Sequence, residues 1–403
     1  MDIERLNTQT GRALLARADA LLAADPRRAA VALRRETDDA ALASAALTQA
    51  ESRRSAVAKF GADAARMFFT RDGLEQASRA VVSDRRARRV AAAGAARVAD
   101  LCCGIGSDAF ALVRQGLRVL AVDSDPATAA VAAASARELG LGDRIEVRCA
   151  DALATDLSGM DAVFADPARR VNGRRIFDPA RYVPPLPALW EAAAAVPLKV
   201  GKVGPGIDHA AIPDGAEAEW VSVDGSVVEA ALWSGFGDAV RRRATVIGTG
   251  QAADGPRVAE LTGDGEREAE VGDVGEYLYE PDGAVIRAHL VAELADGLEA
   301  RLGHEGIAYL YADKLVTTPF ATAYRIGDVL PFHVKRLREA LRQRGIGRLT
   351  IKKRGADVVP EQLRTQLRPS GDGEATLVVT RLAGKHVVLL CQPVATPNRW
   401  PTT

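Results

Sequence analysis

The sequence predicts an α/β fold: a parallel sheet with an antiparallel edge hairpin, preceded by a helical N-terminal domain and followed by an α+β C-terminal domain. Three observations carry this. Before residue 97 apolar residues recur only at helical spacing. From 97 to 235 short apolar runs alternate with helical stretches, as in βα units. Beyond 286 helical and strand patterns mix.

In order, Leu14, Leu15, Ala18, Leu21 and Leu22 mark one face of a first long helix. Pro26 after Asp25 reads as the opening of the next, and Asp72-Gly73 as a break in a later one. The strand candidates are Arg97–Leu101, Arg118–Val122, Ile145–Cys149, Met160–Ala165 and Leu198–Val203. Ala218–Val223 and Val227–Trp233 flank Asp224-Gly225-Ser226, a hairpin signal. Arg243–Ile247 is a further strand candidate in a region rich in Gly, Asp and Glu. In the last part Val334–Arg344 reads as an amphipathic helix, and Arg348–Lys353, Thr376–Leu382 and His386–Cys391 as strands. The domains expected are 1–96 helical, 97–238 the parallel-sheet domain, 239–313 a connecting α+β region and 314–403 a basic domain.

The chain has 403 residues, 48% hydrophobic, enough for a sizeable core, with 53 basic and 53 acidic residues. The neutral total hides an asymmetry: +6 over residues 1–97, −16 over 98–313 and +10 over 314–403. The basic tail is a candidate phosphate-contacting surface. Four cysteines are too few for a disulfide framework, and the five dispersed His give no metal-ligand spacing. No apolar run suits a leader or a membrane span, so a cytoplasmic protein is expected, while the oligomeric state stays open.

The strongest local signal runs from Val98 to Phe110. It reads as a strand, a tight turn through Asp100, Cys103, Gly104 and Gly106, and a helix start at Asp108. Two glycines let backbone approach a ligand where a Cβ would collide, and a helix N-terminus favours negative charge. The second strand ends in Asp123, where a carboxylate can take both hydroxyls of a ribose. The third is followed by Asp151-Ala152, facing an adenine edge in this topology, and the fourth by Asp166-Pro167-Ala168-Arg169-Arg170 at the same crevice. In the tail, Lys352-Lys353-Arg354 ends a strand and follows a cluster of arginines.

This series resembles the class I S-adenosylmethionine-dependent methyltransferases, a Rossmann-like fold. The resemblance assigns Asp100, Gly104 and Gly106 to the cofactor loop, Asp123 to the ribose, Asp151 to the adenine side and Asp166-Pro167 to the acceptor side. Cys102 stands where many members have Gly. A narrower resemblance, carried by Leu74–Ser78, Asp166–Arg170, Lys202–Asp208, Tyr279–Asp282 and the basic tail, is to a bacterial methyltransferase family whose C-terminal piece is THUMP-like. It implies RNA (tRNA or rRNA) as substrate, while the dispersed His leave no metal expected.

The expected site is therefore Asp166, Pro167 and Arg169 for catalysis. Asp100, Cys103, Gly104, Gly106, Asp108, Asp123, Asp151 and Ala152 would hold S-adenosylmethionine, and Arg170, Lys352, Lys353 and Arg354 the substrate. None of the cysteines follows Asp166 at a nucleophile's position, which disfavours a covalent carbon-methylation route. A methyltransferase acting on a protein or small molecule remains an alternative. A dinucleotide-dependent oxidoreductase is a third reading. It fits less well, because Gly104–Ala109 sets Asp108 where a pyrophosphate would be repelled.

Overall fold

The computed structural model describes residues 3–171, 174–237, 239–250, 255–394 and 400, with the backbone alone for 170, 171, 174 and 175. They form two compact units. One holds residues up to Ala216 together with Ala231–Gly237, and the other holds Glu217–Ala230 and the chain from 238 onward.

The first unit opens with helices α1 (Ile3–Leu6), α2 (Gln9–Ala24), α3 (Ala29–Arg34), α4 (Ala40–Phe60), α5 (Arg71–Gln76) and α6 (Ala80–Ala92). Leu14, Leu15, Ala18 and Leu22 are buried as their spacing predicts, while Leu21 is only partly so. Two expectations are corrected. Pro26 does not open a helix: residues 26–28 form a turn and α3 starts at Ala29. Asp72-Gly73 does not break one either. Both lie inside α5, whose first turn is capped by the Thr70 hydroxyl. Gly73 serves close packing, since a Cβ there would stand 2.3 Å from the Ile105 side chain.

The sheet of this unit contains β1 (Arg97–Leu101), β2 (Arg118–Asp123), β3 (Ile145–Cys149), β4 (Ala162–Ala165) and β7 (Leu198–Val203), in the order β7-β4-β1-β2-β3. All these pairings are parallel. Helices α7 (Ser107–Arg114), α8 (Pro126–Glu138) and α9 (Leu186–Ala192) alternate with the strands, and a small antiparallel ribbon, β5 (Arg170–Val171) and β6 (Arg174–Arg175), follows β4. Strand order reverses between β1 and β4, and ligands of open α/β sheets bind outside the carboxyl ends of strands at such a point.

The boundary expected at residue 96 is not a break in packing. One apolar core contains Leu15, Phe60 and Phe68 of the helical part with Phe110, Val119 and Phe164 of the α/β part. A short helical bundle buries its apolar stripe more fully against a sheet layer than alone.

In the second unit, β8 (Glu217–Val223) and β9 (Ser226–Ser234) occupy the expected hairpin positions. Asp224 and Gly225 both have positive φ, 51° and 80°, the backbone of a two-residue primed turn. Residues 231–234 of β9 cluster with the first unit. β10 (Arg242–Gly248) pairs in parallel with β8, and β11 (Arg257–Gly263) runs antiparallel to β10. The rest comprises β12 (Tyr277–Pro281), α10 (Gly283–Arg287), α11 (Val291–Leu298), β13 (Arg301–Leu302), β14 (Leu310–Ala312), β15 (Ala321–Pro331), α12 (Val334–Gln343), β16 (Ile346–Lys353), α13 (Pro360–Leu367), β17 (Gly373–Leu382) and β18 (Lys385–Pro393). Its sheet runs β13-β14-β12-β15-β18-β17-β16. Leu337 and Leu341 of α12 and Leu363 and Leu367 of α13 are buried with Leu349 of β16. Among the described residues, no helix is long and apolar enough to cross a membrane.

Candidate active site at the carboxyl ends of β1 and β4

The loop after β1 is bound to its neighbours through backbone. Cys103 N–H donates to the Val122 carbonyl at 2.9 Å, and Asp166 N–H to the Leu101 carbonyl at 3.1 Å. Gly104 N–H donates to Asp123 Oδ2 at 2.9 Å, while Asp123 Oδ1 accepts from Asp125 N–H at 3.0 Å. Asp123, at the end of β2, therefore fixes the turn that carries the glycines.

Cys102, Gly104 and Gly106 adopt left-handed φ of 61°, 57° and 89°. Non-glycine residues take this region at a cost, so Cys102 carries backbone strain at a position that favours glycine. Burial, and then nearby carboxylates, push the thiols of Cys102 and Cys103 well up, which leaves them protonated and poor nucleophiles. Cys103 is buried in the apolar core, and its Sγ lies 3.6 Å from the Gly104 carbonyl.

Asp100 is fully buried on β1, and neither of its carboxylate oxygens has a hydrogen-bond partner among the described residues. Burial raises its pKa well above the carboxylate range, and Asp108 and Asp166 add to the rise while Arg86 opposes it. A buried, unpartnered carboxylate is costly unless a cation reaches it. That is the position in which a loop of this shape could hold the ammonium of an amino-acid moiety. Asp108, at the start of α7, is turned to a different partner: its carboxylate makes a buried ion pair with Arg86 of α6. Asp151 is exposed and caps the turn Ala152–Ala154 by accepting from Leu153 N–H at 2.9 Å, with Ala152 buried beneath.

On the β4 side, Asp166 Oδ2 accepts from Lys202 Nζ of β7 at 2.7 Å. Lys202 is buried and also donates to Ser78 Oγ at 3.0 Å. Pro167 is buried, and the backbone then bridges Ala168 to Val183. Arg169 Nη1 is buried without a partner among the described residues, close to Gly204, whose N–H donates to the Tyr182 hydroxyl at 3.2 Å. The Arg170 side chain lies outside the described residues. Asp208 caps the short turn His209–Ala211.

The expected residues Asp100, Cys103, Gly104, Gly106, Asp108, Asp123 and Asp166 thus belong to three adjacent strand ends, and Asp151 follows the next. Lys352, Lys353 and Arg354 belong to the other unit and are divided by their surroundings. Lys352 is half-buried, donating to Glu280 Oε2 at 2.6 Å. The Arg354 guanidinium sits 5.2 Å from the Tyr309 ring centroid, and Lys353 is exposed. Single-residue reasoning missed Arg86 and Tyr182 altogether. Ser78 and Lys202 were visible only as parts of motifs with no assigned role. Among the described residues, no group of three or more His, Cys, Asp or Glu could hold a metal ion.

Asp100 supports a prediction. A carboxyl that binds its proton more tightly folded than unfolded costs stability as pH rises from about 4, the unfolded value, through the raised folded one. Asp100→Asn is expected to raise the thermal midpoint of the ligand-free chain at pH 7 and to remove that part of the fall with pH. In calorimetry it should weaken S-adenosylhomocysteine binding by about 10–100-fold, the worth of a charge-assisted hydrogen bond. Unaltered affinity would take Asp100 out of the ligand site.

Residues 98–171 match a family model described as a methyltransferase domain, 321–393 one described as THUMP domain-like, and 1–56 a domain of unknown function. An uncharacterized S-adenosylmethionine-dependent methyltransferase of Mycobacterium tuberculosis, found in strains CDC 1551 and H37Rv, is 33% identical over 340 residues. The match covers 82% of this chain and 89% of that one. The crystal structure of a putative methyltransferase from Porphyromonas gingivalis W83 superposes with a TM-score of 0.75 at 22% identity, over 95% of this chain and 98% of the other.

Proposed function

The chain belongs to the S-adenosylmethionine-dependent methyltransferase family of its mycobacterial relatives, and from that premise we propose that it methylates a nucleotide in structured RNA, transfer or ribosomal. The observation that carries the RNA reading is the charge of +10 on residues 314–403, in the region similar to a THUMP domain-like model. An RNA substrate places the reaction in the cytoplasm.

When bound, S-adenosylmethionine supplies a methyl group on a sulfonium that departs as a neutral thioether, so no acid has to assist departure. The chain's own work is alignment and exclusion of water. In this reading Asp100 holds the ammonium, the Cys103–Gly106 backbone lies along the methionine moiety, Asp123 accepts from the ribose, and Asp151 and Ala152 border the adenine. Asp108 acts one step back, through Arg86, by fixing the start of α7. Asp166 accepts a hydrogen bond from the methyl acceptor, Pro167 sets the turn, and the unpartnered nitrogen of Arg169 meets an acceptor phosphate. Arg170 is assigned to the same strand of RNA.

Of the three basic residues expected to contact phosphate, Lys353 is the one left to solvent; Lys352 and Arg354 are engaged with Glu280 and Tyr309. The exposed Lys335 and Arg336 of α12 join Lys353 as phosphate contacts. Replacing Lys335, Arg336 and Lys353 together in the full chain should flatten the slope of log affinity against log salt by about 2, at roughly 0.7 per phosphate on single strands. Fluorescence titration with tRNA and rRNA reads that slope. The direct test incubates the protein with methyl-labelled S-adenosylmethionine and separate RNA, protein and metabolite fractions. Label in the RNA fraction is expected. Label confined to protein or metabolites, with an unaltered salt slope, would make the tail a docking or structural module.

A further inference from the structure

We infer that the N-terminal helices complete the acceptor site, because Ser78 and Lys202 form a buried chain that positions the Asp166 carboxylate. The inference rests on the assignment of Asp166 to the acceptor. Lys202 and Asp166 have side chains 3% and 24% exposed, so the pair turns its ammonium inward and its carboxylate toward the crevice. Lys202 occupies Oδ2 and leaves Oδ1 for the acceptor. A desolvated ammonium needs a counter-charge and filled donor positions. Asp166 supplies the charge, and the Ser78 hydroxyl, itself 4% exposed, takes a second N–H at 3.0 Å.

Ser78 is held in place by the helical half of the unit. It lies between α5 and α6, and the carbonyls just before it are gathered by one cation. Lys59 Nζ of α4 donates to Leu74, Glu75 and Ala77 carbonyls at 2.6, 2.9 and 3.2 Å. At its other end α5 is capped by Thr70 and packed through Gly73 against Ile105 of the glycine loop. The segment Gly73–Ser78 thus sits against the glycine loop at one end and against Lys202 at the other. A buried ion pair of this kind adds little stability compared with a well-packed apolar pair. Its place beside the crevice gives the arrangement a use: it removes the freedom of a carboxylate that would otherwise swing at a loop end.

The test uses the full chain, methyl-labelled S-adenosylmethionine and whole-cell extract divided into RNA, protein and metabolite fractions. Lys202→Met should lower kcat by about 10²-fold, the scale of a misplacement near 1 Å. The half-saturating amount of acceptor fraction and the affinity for S-adenosylhomocysteine should stay within threefold. Lys202→Arg should recover at least tenfold over Lys202→Met, and Ser78→Ala should cost roughly tenfold in kcat with affinity for S-adenosylhomocysteine within threefold and a lowered thermal midpoint, because it leaves a buried Lys202 N–H without its acceptor. Retained turnover in Lys202→Met, or joint loss of turnover and cofactor affinity in both variants, overturns the inference. Loss in Asp166→Asn with retention in Lys202→Met overturns it alone and leaves the Asp166 assignment intact. Label in the protein fraction with the same dependence on Lys202 overturns the RNA reading alone.

Discussion

Asp166→Asn is expected to lower methyl transfer by about 10²–10⁴-fold, the range of a positioned group acting on a reacting proton, while S-adenosylhomocysteine binds with unchanged affinity. The substitution keeps the size of the side chain and removes its charge. Its amide oxygen can still accept from Lys202, so the loop after β4 should hold its shape, supported by the Asp166 N–H bond to Leu101. What is lost is the anionic oxygen facing the acceptor and, with it, the counter-charge of the buried Lys202, so the variant is also expected to lose stability and its rates are read well below its thermal midpoint. Single-turnover rates with labelled cofactor, read beside calorimetry, separate the two effects. If affinity and rate fall together, Asp166 belongs with the cofactor residues and the acceptor role is wrong.

Arg86→Met is expected to destabilise the chain by about 3–5 kcal/mol, the cost of leaving a buried charge without its partner. The side chains of Arg86 and Asp108 are 4% and 8% exposed, and the Arg86 guanidinium also lies 4.6 Å from the Phe164 ring centroid. Methionine can refill the volume over Phe164 but not the charge, so Asp108 is stranded at the start of α7. The same guanidinium opposes the upward shift of the buried Asp100 carboxyl, so its loss pushes that pKa further up. Urea unfolding of Arg86→Met beside Arg86→Met/Asp108→Leu gives the check. The double variant should recover much of the loss, since apolar replacement of a buried pair is often near neutral. A single-variant loss below about 1 kcal/mol would put the pair on the level of an exposed one.

The strand ends were legible because their signals are local. Apolar runs bounded by turn residues place β1, β3 and β7 at the expected residues, and the acid after each strand follows from its position in the chain. Reading Asp72-Gly73 as a break failed because a glycine has the same appearance whether backbone conformation or a neighbour's side chain requires it, and here the neighbour is Ile105. Pro26 failed for a related reason: a proline permits a helix start without fixing it, and the turn runs on to Ala29.

The sequence by itself determined the order of βα units, the glycine turn, and the series Asp100, Asp123, Asp151 and Asp166, because periodicity and turn chemistry act over a few residues. Only the tertiary structure decided what each charge does. Asp108 is joined to Arg86 across 22 positions, Asp166 to Lys202 across 36, Lys352 to Glu280 across 72 and Ser78 to Lys202 across 124. Charges so far apart in the chain meet only when helices and sheets close on a shared core. Desolvation there makes each unpaired ion costly, so the packing selects which partners are brought together.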